Sequence, residues 1–393
     1  MSRTVDRPLV GIIGGGQLGS MMADAARVLG FRVRVLDPYS HCPAKGASDE
    51  LVTAAFDDAE AAARLARDCV AVTVDLEKVG LDALRAAAQH APTRPSADVL
   101  EIVQDRIRQK EWLDSIEAPI APWRAVRTSD DLDDALEALG NGVFVKAAFG
   151  GYDGRGQVRV RSASDVEDAR TLVAHAPCVV EQPVDFVVEL SVQVARRPSG
   201  ETAVFAPALN HHANQILAWT LLPAPLPEAV ADAAETLATR VADALGVEGL
   251  LTVEMFLLAD GSLVVNELAP RPHNSFHTTL VAGPTSQFEQ AMRAVTDLPL
   301  AEPEVWRPTV VANLLGDLWM GDEPFNIAAA LQVPGVKVHL YGKTEARPAR
   351  KMGHLTATGD TAAEALERAD AALHALGGAL AEPTLPDLSA LSR

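Results

Sequence analysis

The segment LTVEMFLLADGSLVVNEL sets two glutamates, Glu254 and Glu267, in apolar, β-prone runs on either side of Asp260-Gly261. Asp-Gly between such runs is a hairpin signal, and a two-residue turn there pairs Ala259 with Ser262. Paired residue numbers along such a ribbon have a constant sum, so Glu254 falls directly opposite Glu267, with Cβ atoms about 4.5–5.5 Å apart. Two carboxylates that close, in apolar surroundings, need a compensating positive charge, or one must keep its proton. A hard divalent cation with oxygen ligands is the economical partner, and Mg²⁺ keeps phosphate oxygens as further ligands. The plainer reading is a pair of solvated glutamates on an edge hairpin, and a one-residue slip of the turn breaks the register.

Other stretches supply phosphate chemistry. VFVKAAFGGYDGRGQVRV reads as a strand carrying Lys146, then a glycine-rich loop with Arg155. Glycines let backbone N–H groups approach phosphate oxygens, Lys146 adds a point charge and Arg155 a forked donor. An ordinary hairpin loop is the bland alternative. In VVEQPVDFVVELSV, Glu181 at a strand end and Glu189 eight residues on could serve an adenine edge and ribose hydroxyls, or lie on the surface. NELAPRPHNSFHTT crowds Arg271, His273, Asn274 and His277 into a loop restrained by two prolines. YGKTEARPARKMGH gathers Lys343, Arg347, Arg350 and Lys351. Near the start, LVGIIGGGQLG followed by RVRVLD has the spacing of a dinucleotide loop, with Asp37 as the ribose acid.

Residues 9–37 read as strand, glycine turn, helix and strand, and the βα alternation continues to about residue 104, which implies a parallel sheet with helices on both faces. Mixed helices and short strands follow, then a strand-rich stretch, the long helix EAVADAAETLATRVADALG, the two-acid ribbon and a terminal Ala-rich helix. The 393 residues suffice for two or three domains. With 34 Lys and Arg against 53 Asp and Glu, a net charge of −19 argues against general binding of nucleic acid or anionic membrane, so an anionic substrate must meet a local basic cluster. Three dispersed cysteines fit a reducing compartment, and no stretch reads as a signal peptide or membrane span, so a cytoplasmic location is expected.

Taken together, GGGQLG, RPS with QDRIRQKEWL, GGYDGRGQ, ELSVQVAR, NELAPRPHNS, TSQFEQ and YGKTEARPARKMGH resemble the ATP-grasp superfamily, and within it the N5-carboxyaminoimidazole ribonucleotide synthetase family. The resemblance implies an α/β (α+β ATP-grasp) fold: a Rossmann-like parallel-sheet domain over 1–104, an ATP-grasp domain over 105–300 and a small C-terminal domain over 301–393. It implies an ATP-dependent C–N ligase using ATP, Mg²⁺ and bicarbonate, in which carboxyphosphate delivers CO₂ to the amine of aminoimidazole ribonucleotide. Arg106 and Lys146 then serve ATP phosphates, Gly151, Gly154 and Gln157 bind ATP, Glu181 and the backbone near Val184 hold the adenine, Glu189 the ribose, and Glu254 and Glu267 the metal. Tyr152, Asp153, Gly154 and Arg155 close over bicarbonate and amine, and Arg271, His273 and Asn274 line the reacting centre. Gly16, Gln17, Leu18, His212, Lys343 and Arg350 hold the ribonucleotide, not NAD. A homodimer is a family expectation.

Four places depart from the family pattern. Two arginines before the glycine lid are Ala148 and Phe149, a glutamate before Asn210 is Leu209, a glycine is Phe276, and EFEN is Asp75 to Lys78. These changes are expected to gather around the base and bicarbonate, removing polar partners and filling space. They admit a second reading, a paralogous ligase acting on a different phosphorylated amine. A third, an inert nucleotide-binding subunit, is opposed by the retained Glu254, Glu267 and Lys146.

Overall fold

A computed structural model describes residues 6–150, 156–321, 325–388 and 391. Gly151, Tyr152, Asp153, Gly154 and Arg155 lie outside the described residues. The chain opens with a parallel sheet in the order Glu50–Thr53, Arg32–Asp37, Leu9–Ile13, Cys69–Val74, joined by right-length helical crossovers such as Gln17–Val28 and Ala59–Ala66. The strands Leu9–Ile13 and Cys69–Val74 are buried almost throughout, as a sheet covered on both faces requires, while the edge strand Glu50–Thr53 is only partly covered.

A small antiparallel sheet follows, ordered Trp123–Val126, Cys178–Glu181, Phe144–Ala147, Gln157–Arg159. The helices Ser129–Leu139 and Ala163–His175 pack on it through Leu132, Ala135, Ala169 and Val173. Each begins with a capping box, Thr128 with Asp131 and Ser162 with Asp165.

The third layer is a nine-stranded antiparallel sheet. Its path runs Leu263–Ala269, Gly249–Leu257, Val188–Arg196, Ala208–Ala213, Ile216–Leu222, Thr309–Leu315, Lys351–Thr358, Val336–Leu340, with Thr202–Val204 beside Val188–Arg196. The strand Ile216–Leu222 pairs with Thr309–Leu315, so the sheet runs unbroken through residue 300 into the last part of the chain. One face carries Leu190, Val192, Leu209, Trp219, Val253 and Met255 into a core closed by the helices Glu228–Leu245 and Ala362–Ala375. Strand alternation sends the polar partners Glu189, Ser191, Asn210, Thr220 and Glu254 to the other face. Among the described residues no helix is long and apolar enough to cross a membrane.

Candidate active site

Glu254 and Glu267 stand opposite each other, as expected, but by a different route. The turn holds three residues, 259–261: Leu258 N–H donates to Ser262 O at 2.9 Å, and Gly261 takes a φ of 85°. Leu257 therefore pairs with Leu263 and Met255 with Val265, one residue off the expected register. A bulge that skips Asn266 then restores the pairing of Glu254 with Glu267. Burial, and then Glu267 across the ribbon, lifts the Glu254 carboxyl to about 7. Among the described residues no group of three His, Cys, Asp or Glu side chains forms an all-protein metal cage. A carboxylate pair of this kind suits Mg²⁺ completed by phosphate oxygens and water.

Facing this ribbon, the strand Phe144–Ala147 presents Lys146, whose Nζ lies 2.5 Å from Glu181 Oε2. The other Glu181 oxygen lies 3.2 Å from Nζ of Lys110, on the helix Arg106–Ser115. Against the cost of burial, Lys146 and Lys110 hold the Glu181 carboxyl down at about 2. Lys110 was not foreseen: in RIRQKEWL it reads as one of several exposed helical cations, yet its side chain is only 4% exposed. Asp105 caps that helix by accepting from Ile107 N–H at 2.8 Å, and Arg106, its first residue, reaches Glu267 at 3.4 Å. Gln157 is paired with Lys146 in the small sheet, and its side chain donates to Gln215 at 2.8 Å.

On the floor of the large sheet, His212 Nδ1 lies 2.6 Å from Glu189 Oε2. Burial opposes a charge on His212, but Glu189 outweighs it and the imidazole titrates above its ordinary value. Arg271 Nε sits 2.7 Å from Glu77, and His273 Nε2 is 3.3 Å from Glu254 Oε1. Burial and the Arg271 charge push His273 well below the usual imidazole range. Asn274 Oδ1 is buried with no hydrogen-bond partner among the described residues. His277, by contrast, is fully buried, stacked on His354 with ring centroids 4.6 Å apart, and belongs to the core.

The glycine turn is built for close approach, but part of it is already engaged. Gly14 has a φ of 110°, and a Cβ there would fall 1.5 Å from Asp75 Oδ1. The Asp75 carboxylate accepts from Gly16 N–H at 2.8 Å and Gly19 N–H at 3.1 Å. Asp37 accepts from Gly15 N–H and Tyr39 N–H, both at 2.8 Å, and is buried. The acid that a dinucleotide enzyme offers to ribose is thus partly engaged by backbone, which weakens the NAD reading. Tyr341 shares an apolar cluster with Leu18, Met21 and Cys42, and this draws the 341–351 loop to the glycine turn. There Lys343 Nζ donates to Lys351 O at 2.6 Å, and Arg350 donates to Glu345 O at 2.7 Å. Lys351 acts electrostatically on His212 and His273, so it belongs to the site more directly than the cluster reading implied.

Three family models match the chain: a ribonucleotide synthetase preATP-grasp domain over residues 8–104, an ATP-grasp domain over 111–288, and a phosphoribosylaminoimidazole carboxylase C-terminal domain over 309–368. The N5-carboxyaminoimidazole ribonucleotide synthase of Bacillus subtilis is 40% identical over 360 residues, 91% of this chain and 93% of that protein. This chain belongs to the N5-carboxyaminoimidazole ribonucleotide synthetase family. A crystal structure of such a synthetase as its ADP complex is 40% identical, with a TM-score of 0.88 over 96% of this chain and 99% of that one. The Aspergillus clavatus synthase, solved with ADP and 5-aminoimidazole ribonucleotide, is 32% identical, with a TM-score of 0.86 over 94% and 99% of the two chains.

Measured against the synthetase pattern, two of the departures, Leu209 and Phe276, lie in the core and not in the site. Leu209 pairs with Leu190 and Leu221 and points into the core behind the sheet. Phe276 is fully buried against Phe205, Ala208 and Leu222 beneath the 273–278 segment. Ala148 packs with Ile107 and Val179, and Phe149 is 55% exposed. The expectation that Leu209 and Phe276 fill the pocket is therefore corrected. Strand alternation, which the segment LNHH conceals because a bulge follows His211, decides Leu209. The DLEK departure keeps its working groups: Asp75 holds the glycine turn and Glu77 holds Arg271. Neither role was foreseen, although an acid pair ending the strand Cys69–Val74, next to the glycine turn in a parallel sheet, was a signal to look.

Proposed function

We propose that this protein is an ATP-dependent carboxy-amine ligase that joins bicarbonate to the exocyclic amine of 5-aminoimidazole ribonucleotide, giving N5-carboxyaminoimidazole ribonucleotide in purine biosynthesis. The carrying observation is the Glu254–Glu267 pair, reached by Arg106, together with the Lys110–Glu181–Lys146 knot, in a chain of this family. Lys146 and Arg106 supply positive charge for the triphosphate, and Glu254 and Glu267 would hold Mg²⁺, which supplies further neutralisation when bound. Both Glu181 oxygens are taken by lysines, so Glu181 fixes those cations, and the backbone through Val184 is left to the adenine. Glu189 serves the ribose.

Bicarbonate oxygen attacks the γ-phosphorus and ADP leaves. The resulting carboxyphosphate releases CO₂ and phosphate, and the amine captures CO₂ with loss of a proton. By the family resemblance, Tyr152, Asp153, Gly154 and Arg155 serve bicarbonate and the amine, and Gly151 serves ATP. Arg271 and the unsatisfied Asn274 line the reacting centre. Lys343 and Arg350, with Gln17, Leu18 and His212, hold the ribonucleotide. Gly16 contributes by shape, because its N–H already serves Asp75. Exclusion of water is what keeps an acyl phosphate alive long enough to react. We take the domains as 1–104, 105–300 and 301–393, and the working form as a cytoplasmic homodimer.

Phosphate release with ATP and bicarbonate tests the reading. Strong stimulation by 5-aminoimidazole ribonucleotide is expected. ATP binding without such stimulation overturns the substrate assignment.

A further inference from the structure

His273 reaches Glu254 through Nε2, and its other nitrogen is approached by a buried chain of polar side chains. Thr220 hydroxyl donates to Asn210 Oδ1 at 3.0 Å, and Asn210 Nδ2 donates to Ser191 Oγ at 2.6 Å. Ser191 hydroxyl donates to Ser275 Oγ at 3.3 Å, and Ser275 Oγ lies 3.1 Å from His273 Nδ1. The Ser275 backbone N–H also points at Nδ1, at 3.4 Å. Thr220, Ser191 and Ser275 are wholly buried and Asn210 nearly so, so water does not substitute for a missing link. Each hydroxyl has one proton, and each link here uses it in the same direction. With Ser191 donating to it and its own amide beside Nδ1, Ser275 has only Nδ1 left to receive its proton.

We propose that Thr220, Asn210, Ser191 and Ser275 are positioning residues: a one-way hydrogen-bond chain that makes Nδ1 of His273 an acceptor, leaving the ring proton on Nε2, the nitrogen that faces Glu254 Oε1 at 3.3 Å. The imidazole then fixes one carboxylate oxygen of Glu254 without adding charge to the cation site, the outer-shell function that tunes a ligand's orientation. This rests on the reading of Glu254 as a metal ligand, and it moves His273 from the reacting centre to the support of that ligand. The signal is present in ELSVQVAR, where polar Glu189, Ser191 and Gln193 alternate with apolar residues on a strand whose two faces are both covered.

The test is ¹⁵N–¹H correlation of the histidine rings in deuterated protein, with His273 assigned by its loss in His273→Gln. Wild type is expected to show Nε2–H. Asn210→Asp, as a carboxylate, can only accept. It reverses Ser191 and Ser275 and draws the ring proton to Nδ1. Ser275→Ala removes the last hydroxyl and is expected to mix the tautomers. In both variants the Mg²⁺ concentration for half-maximal turnover should rise about 10-fold, the scale typical of lost outer-shell partners, while nucleotide affinity measured without Mg²⁺ is unchanged. Finding Nδ1–H in the wild type, or Nε2–H retained in both variants, overturns the proposal. A Glu254→Gln variant with unaltered Mg²⁺ requirement would instead sink the ligand reading, and leaves the tautomer result to be judged by itself.

Discussion

Lys146 Nζ sits 2.5 Å from Glu181 Oε2, and the second oxygen of that carboxylate belongs to the buried Lys110 at 3.2 Å. One negative charge thus holds two positive ones at the wall of the cleft, leaving a net positive edge for a polyphosphate. Removing the anion leaves Lys110 desolvated and repelled by Lys146. Glu181→Gln is expected to cost about 3–5 kcal/mol in chemical denaturation, the range for breaking a buried pair. A loss below 1 kcal/mol would mean the lysines do not depend on it.

The same carboxyl titrates at about 2 in the folded chain against an ordinary 4.5. The unfolded chain takes up its proton first as pH falls, so this contribution is complete above pH 4.5 and is lost progressively as pH drops toward 2. Urea titrations from pH 6 to 3 should therefore show a decline that is shallower in Glu181→Gln. Parallel declines in the two proteins contradict the assignment.

Glu254 behaves in the opposite sense. Its folded carboxyl is raised from 4.5 to about 7 by burial and Glu267, so the folded chain without metal holds the proton longer than the unfolded one and loses stability as pH rises from 4.5 to about 7. Where Glu254 holds Mg²⁺, as proposed, the ion must displace that proton. Affinity for Mg²⁺ with ADP, measured by calorimetry, should rise with pH up to about 7 and level off above it, with proton release below. Glu267→Gln removes the repulsion but not the larger effect of burial, so it moves this dependence to lower pH, and it abolishes turnover while circular dichroism stays unchanged. Normal turnover in that variant removes the metal role.

The elements were legible where periodicity is strong: the glycine turn, the helix Gln17–Val28 and the two-acid ribbon all follow from local pattern. The ribbon's register was legible for a reason that cancels. A turn one residue longer and a bulge at Asn266 each shift the pairing by one, and together they return Glu254 to Glu267. A bulge leaves no mark in polarity patterns. Lys110, Asp75 and Glu77 were not legible, because their partners Glu181, Gly16 and Arg271 lie far off in sequence, and nothing local distinguishes a buried lysine on a helix from an exposed one.

At the glycine turn, space is the controlling quantity. A Cβ on Gly19 would come 2.2 Å from Gly14 O and 2.9 Å from the Asp75 carboxylate. The backbone oxygen cannot yield without moving the turn. Gly19→Ala is expected to destabilise by about 3 kcal/mol or more, as strain at a tightly packed backbone does, and to raise KM for the ribonucleotide more than KM for ATP. Equal changes in both would place the ribonucleotide elsewhere.

The family departures give the sharpest check on substrate. Phe276 is fully enclosed by Phe205, Ala208 and Leu222, and Leu209 lies among Leu190, Trp219 and Leu221. Restoring the family residues should therefore harm the fold without helping the chemistry. Phe276→Gly opens a cavity worth about 3–5 kcal/mol, and Leu209→Glu buries a carboxylate without a partner and should cost at least as much. Phe149→Arg, at an exposed position, should change stability by no more than about 0.5 kcal/mol. Since Leu209 and Phe276 do not reach the cleft, kcat/KM for 5-aminoimidazole ribonucleotide should not improve in either core variant. A tenfold gain in either would show that the residue limits the pocket, and would revive a ligase acting on another phosphorylated amine.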